Sequence, residues 1–180
     1  MNSVTKHFLV AAFVTFVTLP ASVTAAEATE FEVAGLKFVQ PASWKKIQPT
    51  SSMRKAQLEV AGKDGKKAEV VFFYFGPGGA GGVKANVDRW LGQFQEPREK
   101  INARVEDKRV GKTRITYVHA LGTYLSGMPG GAKTSQADTV LLGAIVEGPE
   151  GFIFVKMTGH KSVVQPAEKD FNAMIETRLK

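Results

Sequence analysis

The chain of 180 residues contains no cysteine and only three histidines. The absence of cysteine excludes a disulfide-stabilised scaffold, a zinc site with thiolate ligands and a catalytic cysteine. Beyond residue 26 there is no apolar run of about 18 residues, so the sequence predicts no transmembrane segment in the mature chain. Hydrophobic residues make up 43% and charged residues 23% of the chain, a composition typical of a globular protein, and the length is that of one domain.

The first 26 residues have the features of a secretory signal peptide. A short basic stretch precedes an apolar run from Phe8 to Leu19, Pro20 ends the run, and small residues follow. The run is too short for a permanent membrane helix, although an uncleaved N-terminal anchor or a buried helix stays open as an alternative. We therefore expect a signal peptide at residues 1–26, a single domain at residues 27–180, and a periplasmic or secreted protein.

Lysine and arginine outnumber aspartate and glutamate by 24 to 17, which gives a formal net charge of +7 at pH 7. In an exported protein this excess favours an envelope protein or an anionic ligand as partner, and not nucleic acid. Solubility alone explains the same excess. In the first half of the domain the basic residues either form one basic edge or protect strand ends from aggregation. They are Lys45, Lys46, Arg54, Lys55, Lys63, Lys66 and Lys67.

Alternating residues, runs of β-branched and aromatic residues, and turn residues between them predict a series of antiparallel hairpins. The predicted strands occupy residues 31–39 (bent or interrupted at Gly35), 53–61, 68–75, 103–108, 113–124, 139–147 and 152–158. Two amphipathic helices accompany them, one from Val83 to near Gln95 and one that Pro166 opens at its first turn. Residues 125–137 are polar and glycine-rich and are predicted to form a long loop. The fold class is therefore α+β, with one antiparallel sheet covered by two helices.

One stretch near the start of the domain resembles a known group of proteins. Residues 35–44, with the sequence GLKFVQPASW, are similar to the opening of the PsbP, Mog1 and DcrB group, in which a short apolar strand runs into a proline and a tryptophan. The order of elements is similar over residues 31–179. The resemblance implies an α-β-α sandwich that binds partners or assists assemblies, usually without catalysis, and it assigns no site residue. Residues 75–94 are also similar to a group of exported bacterial proteins.

The glycine-rich segment 76–82 is the first candidate binding site. It follows a predicted strand, opens a predicted helix and formally matches the GxGxxG pattern of dinucleotide-binding proteins. Hairpin pairing, Pro77 and export all argue against a dinucleotide. The segment either binds an anion or a partner peptide through free N–H groups, or only connects a strand sharply to a helix. The predicted binding residues in it are Gly78, Gly79, Gly81 and Gly82.

Other polar residues extend this predicted surface. Asn86, Arg89 and Gln93 are predicted along one side of the first helix, where they either bind a carboxylate or a sugar or form a solvated face that caps neighbouring loops. We include Asn86 and Arg89 in the predicted binding surface, together with Lys133 from the predicted loop. We expect no cofactor and no metal site.

Three functions from different classes fit these features. We favour a non-catalytic, exported binding or assembly-assisting domain. One alternative is a small periplasmic hydrolase that uses His119, since Ser126, His119 and Asp138 hold the atoms of a catalytic triad, although Ser126 lies outside a nucleophile elbow. The other is a structural envelope protein held by its basic face. A pocket that joins His119 to an acid would favour the hydrolase, and a groove beside the glycine segment would favour the binding domain.

Overall fold

The computed structural model describes residues 29–127 and 131–179, so the predicted signal peptide lies outside the described residues and its cleavage stays a prediction. The strands are β1 (Thr29–Val33), β2 (Leu36–Gln40), β3 (Lys45–Lys46), β4 (Arg54–Ala61), β5 (Lys67–Tyr74), β6 (Arg104–Val110), β7 (Thr113–Ser126), β8 (Thr134–Gly148) and β9 (Gly151–His160). The helices are α1 (Val83–Leu91) and α2 (Lys161–Glu176), with a short 3-10 turn at Arg98–Lys100. Within the described ranges, every helix is too short or too polar to cross a membrane.

Seven strands form one sheet in the order β3-β4-β5-β9-β8-β7-β6, and β1 and β2 form a separate hairpin. Every strand pairing among the described residues is antiparallel. This confirms the predicted α+β class. It also excludes a dinucleotide-binding unit around Gly78, because that unit needs parallel strands joined by a helix.

The sheet buries hydrophobic side chains on both of its faces. On the side that we call the α1 face, Trp90 of α1 packs against Phe154 of β9. The opposite side packs against α2 and the β1–β2 hairpin, around the buried Phe72 and Phe171. Because successive strand residues point to opposite faces, Phe154 and Lys156 of β9 share the α1 face.

Residues 35–44, which carry the resemblance to the PsbP group, form β2 and the turn after it. Ala34 and Gly35, between β1 and β2, have positive φ values of 46° and 73°, as a two-residue hairpin turn requires. Phe38 of β2 is fully buried, and its ring centroid lies 4.9 Å from that of Phe72. Trp44 is buried at the end of the stretch. This local signature therefore encodes the packing of the hairpin on the sheet.

The start of α1 at Val83 is confirmed, but the predicted end of α1 and the predicted start of α2 were wrong. α1 ends at Leu91 and not near Gln95, because the chain after it pairs with β7, where the N–H of Gln95 donates to the carbonyl of Thr123 at 2.9 Å. α2 begins at Lys161, and Pro166 lies inside it. The imidazole of His160 caps α2 by accepting a hydrogen bond from the N–H of Ser162. Histidine is not among the usual capping residues, so the sequence pattern placed the start at the proline instead.

The loop predicted at residues 125–137 was wrong at both of its ends. β7 continues to Ser126 and β8 begins at Thr134, and these two residues pair directly. β9 pairs with β8 only as far as Thr139, so beyond that point β7 and β8 continue as a two-stranded ribbon in which residues 134–138 are all exposed. A strand without a buried face needs no alternation of hydrophobic residues, which explains its loop-like sequence.

Candidate functional site

The glycine-rich segment 76–82 is held in shape by two side chains of α1. Asn86 is buried, and its Nδ2 donates to the carbonyl of Ala80 at 2.9 Å and to that of Gly82 at 3.0 Å. Its Oδ1 accepts from Nη1 of Arg89 at 2.7 Å. Gly76, Gly78 and Gly81 of the segment have positive φ values, which favour glycine at these three positions. Asn86 and Arg89 therefore cap the neighbouring loop, which was one of the two interpretations of these residues in the sequence; the other was ligand binding.

We expect Asn86→Ala to lower the free energy of unfolding by about 2 kcal/mol, because it removes the hydrogen bonds from Asn86 to the carbonyls of Ala80 and Gly82 and the acceptor of Arg89 Nη1. Urea denaturation followed by circular dichroism measures this change. The control is Lys84→Ala, since Lys84 is exposed on the same helix and forms an exposed i,i+4 ion pair with Asp88. We expect this substitution to lower the free energy of unfolding by about 0.5 kcal/mol or less. Equal stability of Asn86→Ala and the wild type would show that the segment holds its shape without this side chain.

The structure divides the predicted binding surface between the two ends of the sheet. The glycine segment adjoins the turn between β8 and β9, where the hydroxyl of Tyr74 donates to the carbonyl of Glu150 at 2.8 Å. Lys133 is exposed just before the other end of β8, a strand of 15 residues that spans roughly 45 Å. Lys133 therefore does not meet Gly78, Gly79, Gly81 or Gly82, and the role of each group in binding stays a prediction.

His119 lies in a pocket of about 310 Å³ between the β6–β7 edge and α2. Glu168 and Arg104 also line the pocket, so a histidine does lie beside an acid there. Burial lowers the pKa of His119, and the positive charge of Arg104 lowers it further. No serine is among the described residues that line the pocket, so the histidine has no serine nucleophile beside it there.

The three residues of the hypothetical catalytic triad are not brought together. Ser126 is on the α1 face, where it lines a different pocket, while His119 points to the α2 side. Asp138 is ion-paired with Lys161 at 2.8 Å. The Ser–His–Asp form of the hydrolase alternative is therefore wrong. Within residues 29–127 and 131–179, no group of three or more acidic or histidine side chains is placed to hold a metal ion.

A groove of about 430 Å³ lies on the α1 face beside α1. The helix sits over β8, where an added Cβ at Gly143 would come within 2.3 Å of the Trp90 ring, and it leaves part of β4, β5 and β9 uncovered. Gln93 and Tyr124 form one wall of this groove, which we call the α1-face groove. Its charged lining residues are Arg54, Glu59, Lys67, Glu69 and Lys156.

Four of these five charges pair with one another. Arg54 Nη1 lies 2.8 Å from Glu69 Oε1, and Lys67 Nζ lies 2.9 Å from Glu59 Oε2. Lys156 forms no ion pair with any residue that the structure describes. It is thus the cation of the α1-face groove that has no counterion within the described part of the chain.

Lys156 is half-buried in β9, the central strand of the sheet, and contacts neutral oxygen atoms. Its Nζ donates to the hydroxyl of Tyr124 at 3.1 Å and to Oε1 of Gln93 at 3.3 Å. Burial lowers the pKa of Lys156 to about 8, although the carboxylate of Glu69 acts in the opposite direction. An ammonium group has three N–H donors, so one donor is left for a ligand in the groove.

The chain after α1 positions Gln93 beside this lysine. The backbone carbonyl of Gln93 accepts a hydrogen bond from the N–H of Leu125 at 2.8 Å. The carboxylate of Glu96 accepts one from the N–H of Thr123 at 2.8 Å. These bonds fasten residues 93–96 to β7, so that the Tyr124 hydroxyl donates to Oε1 of Gln93 at 3.0 Å. The Nε2 atom of Gln93 has no hydrogen-bond partner among the described residues. The α1-face groove therefore offers a ligand two neighbouring donors, an ammonium and an amide.

Reasoning from the sequence did not select Lys156 or Tyr124 as site residues, and it placed Gln93 on the predicted helix. A signal for Lys156 was present, because a lysine inside the apolar strand FIFVKMT is unusual unless it is paired or functional. No local pattern joins Gln93 to Tyr124, which meet only through the pairing of the chain after α1 with β7.

The fold and the groove together define the class of this protein: an α+β sandwich with an open polar groove on one face. No protein-family model and no curated protein matches the sequence. The structure is similar to the solution structure of cyanobacterial PsbP (CyanoP) from Synechocystis sp. PCC 6803, with a TM-score of 0.53, 8% sequence identity, and coverage of 86% of this chain and 93% of that chain. At this identity the likeness shows the fold alone. The protein has a PsbP-like fold, as the resemblance of residues 35–44 implied.

Proposed function

We propose that the protein is an exported binding module without catalytic activity, and that its ligand places an anionic group beside Lys156 in the α1-face groove. The observation that carries the proposal is the half-buried ammonium of Lys156, which lines a groove of about 430 Å³ and has only neutral acceptors among the described residues. The signal-peptide features of residues 1–26 support export. The PsbP-like fold supports binding or assembly and not catalysis.

The chemistry of the groove favours an anionic ligand. A desolvated cation without a counterion lowers the stability of a fold, and a carboxylate bound there would supply the missing charge. The free amide nitrogen of Gln93 is a second donor that a carboxylate can accept from. Lys67 and Arg54 are held by their own carboxylate partners and do not compete for the ligand.

Sodium acetate is the simplest probe of this site. We expect acetate, titrated at constant ionic strength against sodium chloride at about pH 6.5, to cause saturable NMR shifts of the backbone amides of Val71 and Tyr124. At that pH Lys156 is protonated, since its pKa is about 8. Lys156→Met is expected to abolish the saturable shifts, because it removes the charge without shortening the side chain much.

Lys67→Met is the matched control, since it removes the same charge from the same groove but from a lysine that is already paired with Glu59. We expect it to keep acetate binding within about threefold of the wild type, a change of less than 1 kcal/mol. Absence of saturable binding to the wild type, or equal weakening by both substitutions, would overturn the proposal.

A further inference from the structure

We infer that the anionic group is the C-terminal carboxylate of a peptide whose last residues carry an apolar side chain. The inference rests on the proposed function and adds the chemical class of the ligand. It follows from what lies next to Lys156 in the α1-face groove: a partly exposed aromatic surface on one side and hydrogen-bonding side chains around it.

Two phenylalanine rings extend the groove away from Lys156. Phe73 lines the groove, and its ring stacks on that of Phe75 with 6.1 Å between centroids and an angle of 5° between planes. Phe75 is 42% exposed, which is unusual for so large an apolar side chain. The guanidinium of Arg54 lies 6.0 Å from the centroid of the Phe73 ring. The two rings provide an apolar surface beside an unpaired cation, which suits a ligand that joins a carboxylate to an apolar group.

The strand register sets the distance between the cation and the rings. Val71 pairs with Lys156 and Phe73 pairs with Phe154, so Lys156 and Phe73 are diagonal neighbours on one face of the sheet. Such neighbours lie about 7–8 Å apart. Successive residues of an extended peptide are about 3.4 Å apart. A peptide carboxylate at Lys156 therefore places the side chain of the last or the preceding residue over Phe73 and Phe75.

The rest of the groove favours a peptide over a fatty acid. On the side of the rings, Arg54 and Glu69 line it, and together they offer both donors and acceptors. The amide groups of a peptide can pair with such side chains, whereas a hydrocarbon chain would cover them without replacing their bonds to water. The cation fixes the end of the peptide, and the rings select its side chains.

The experiment compares four probes by isothermal titration calorimetry and NMR: N-acetyl-Gly-Phe-Phe with a free carboxylate, the same peptide amidated, octanoate and acetate. We expect the free-acid peptide to bind the purified protein at least tenfold more tightly than the amidated peptide, octanoate or acetate. Phe75→Ser is expected to remove most of the gain over acetate and to leave acetate binding unchanged. Phe75 is 42% exposed and is not one of the buried residues of the core, so this substitution is expected to leave the fold intact.

Val105→Ser is the matched control, since Val105 is 41% exposed on β6, at the opposite edge of the sheet. We expect it to leave the binding of all four probes unchanged. If acetate binds through Lys156 but the free-acid peptide binds no better than acetate, the inference is wrong and the proposed function stands. If octanoate binds as tightly as the peptide and depends equally on Phe75, the ligand is a fatty acid and the inference of a peptide ligand is wrong. If Lys156→Met leaves the binding of every probe unchanged, the proposed function fails together with the inference.

Discussion

Trp90→Ala is expected to lower the free energy of unfolding by about 3–5 kcal/mol. The indole of Trp90 is 6% exposed, meets the ring of Phe154 edge to face at 6.5 Å between centroids, and covers Gly143 of β8. Its removal leaves a cavity between α1 and the sheet, in the cluster that also contains Val87 and Leu91. Urea denaturation measures the loss. An unchanged midpoint would show that the indole does not pack on β8.

A double-mutant cycle with Gly143 makes this prediction specific. A Cβ at Gly143 would lie 2.3 Å from Cζ3 of Trp90, so Gly143→Ala is expected to destabilise the wild type by about 1–3 kcal/mol through overpacking. In a Trp90→Ala background the same methyl group has room, and its cost is expected to disappear. Strictly additive losses would mean that the two residues do not contact each other.

Most of the elements that the sequence predicted correctly have a buried face, although the exposed β6 was also predicted, from the turn that joins it to β7. Alternation of hydrophobic residues identified β4, a run of β-branched and aromatic residues identified β5, and an apolar run after a turn identified β9. The stripe containing Val87 and Trp90 identified α1, because in each case burial selects apolar residues. The β7–β8 ribbon shows no such hydrophobic pattern, since residues 134–138 are exposed on both faces of the strand. The start of α2 was missed for a different reason: its cap is His160, which no capping preference would select.

The α1-face groove follows from a mismatch between the elements that form this side of the sheet. A helix of nine residues cannot cover a sheet of seven strands, so part of β4, β5 and β9 stays open. The length of α1 depends on where the chain after Leu91 begins to pair with β7, which is a tertiary contact that the local sequence does not determine. Lys156 could have been noticed as a charge in a buried strand. Its partners Gln93 and Tyr124 are joined to it only by the complete fold.

Lys156→Met is expected to raise the free energy of unfolding at pH 7 by about 2 kcal/mol. Burial lowers the pKa of Lys156 from 10.5 to about 8, so the fold disfavours the charged form by roughly 3 kcal/mol. Methionine keeps most of the apolar stem and removes the charge. Part of the gain is offset, by about 1 kcal/mol, because Tyr124 and Gln93 lose a hydrogen-bond donor.

The pH dependence identifies Lys156 as the source of this effect. Between pH 8 and 10.5 the unfolded chain holds a proton on this lysine that the folded chain has released. The stability of the wild type relative to Lys156→Met therefore rises with pH through this window, and below it the penalty is fully present. We expect the advantage of Lys156→Met to shrink from about 2 kcal/mol at pH 7 to zero or below near pH 10.5. Taking the difference between the two proteins cancels the titration of the other lysines and tyrosines.

The control is Lys84→Met, since the side chain of Lys84 is 91% exposed and its replacement is expected to change stability by about 0.5 kcal/mol or less, without this pH dependence. A residue whose replacement stabilises the fold and removes ligand binding is one that the fold retains at the expense of stability, which is the pattern of a binding site. A structural lysine behaves in the opposite way. If Lys156→Met destabilises the protein at pH 7, the ammonium supports the packing of β9 against Tyr124, and the α1-face groove loses the observation that marks it as a ligand site.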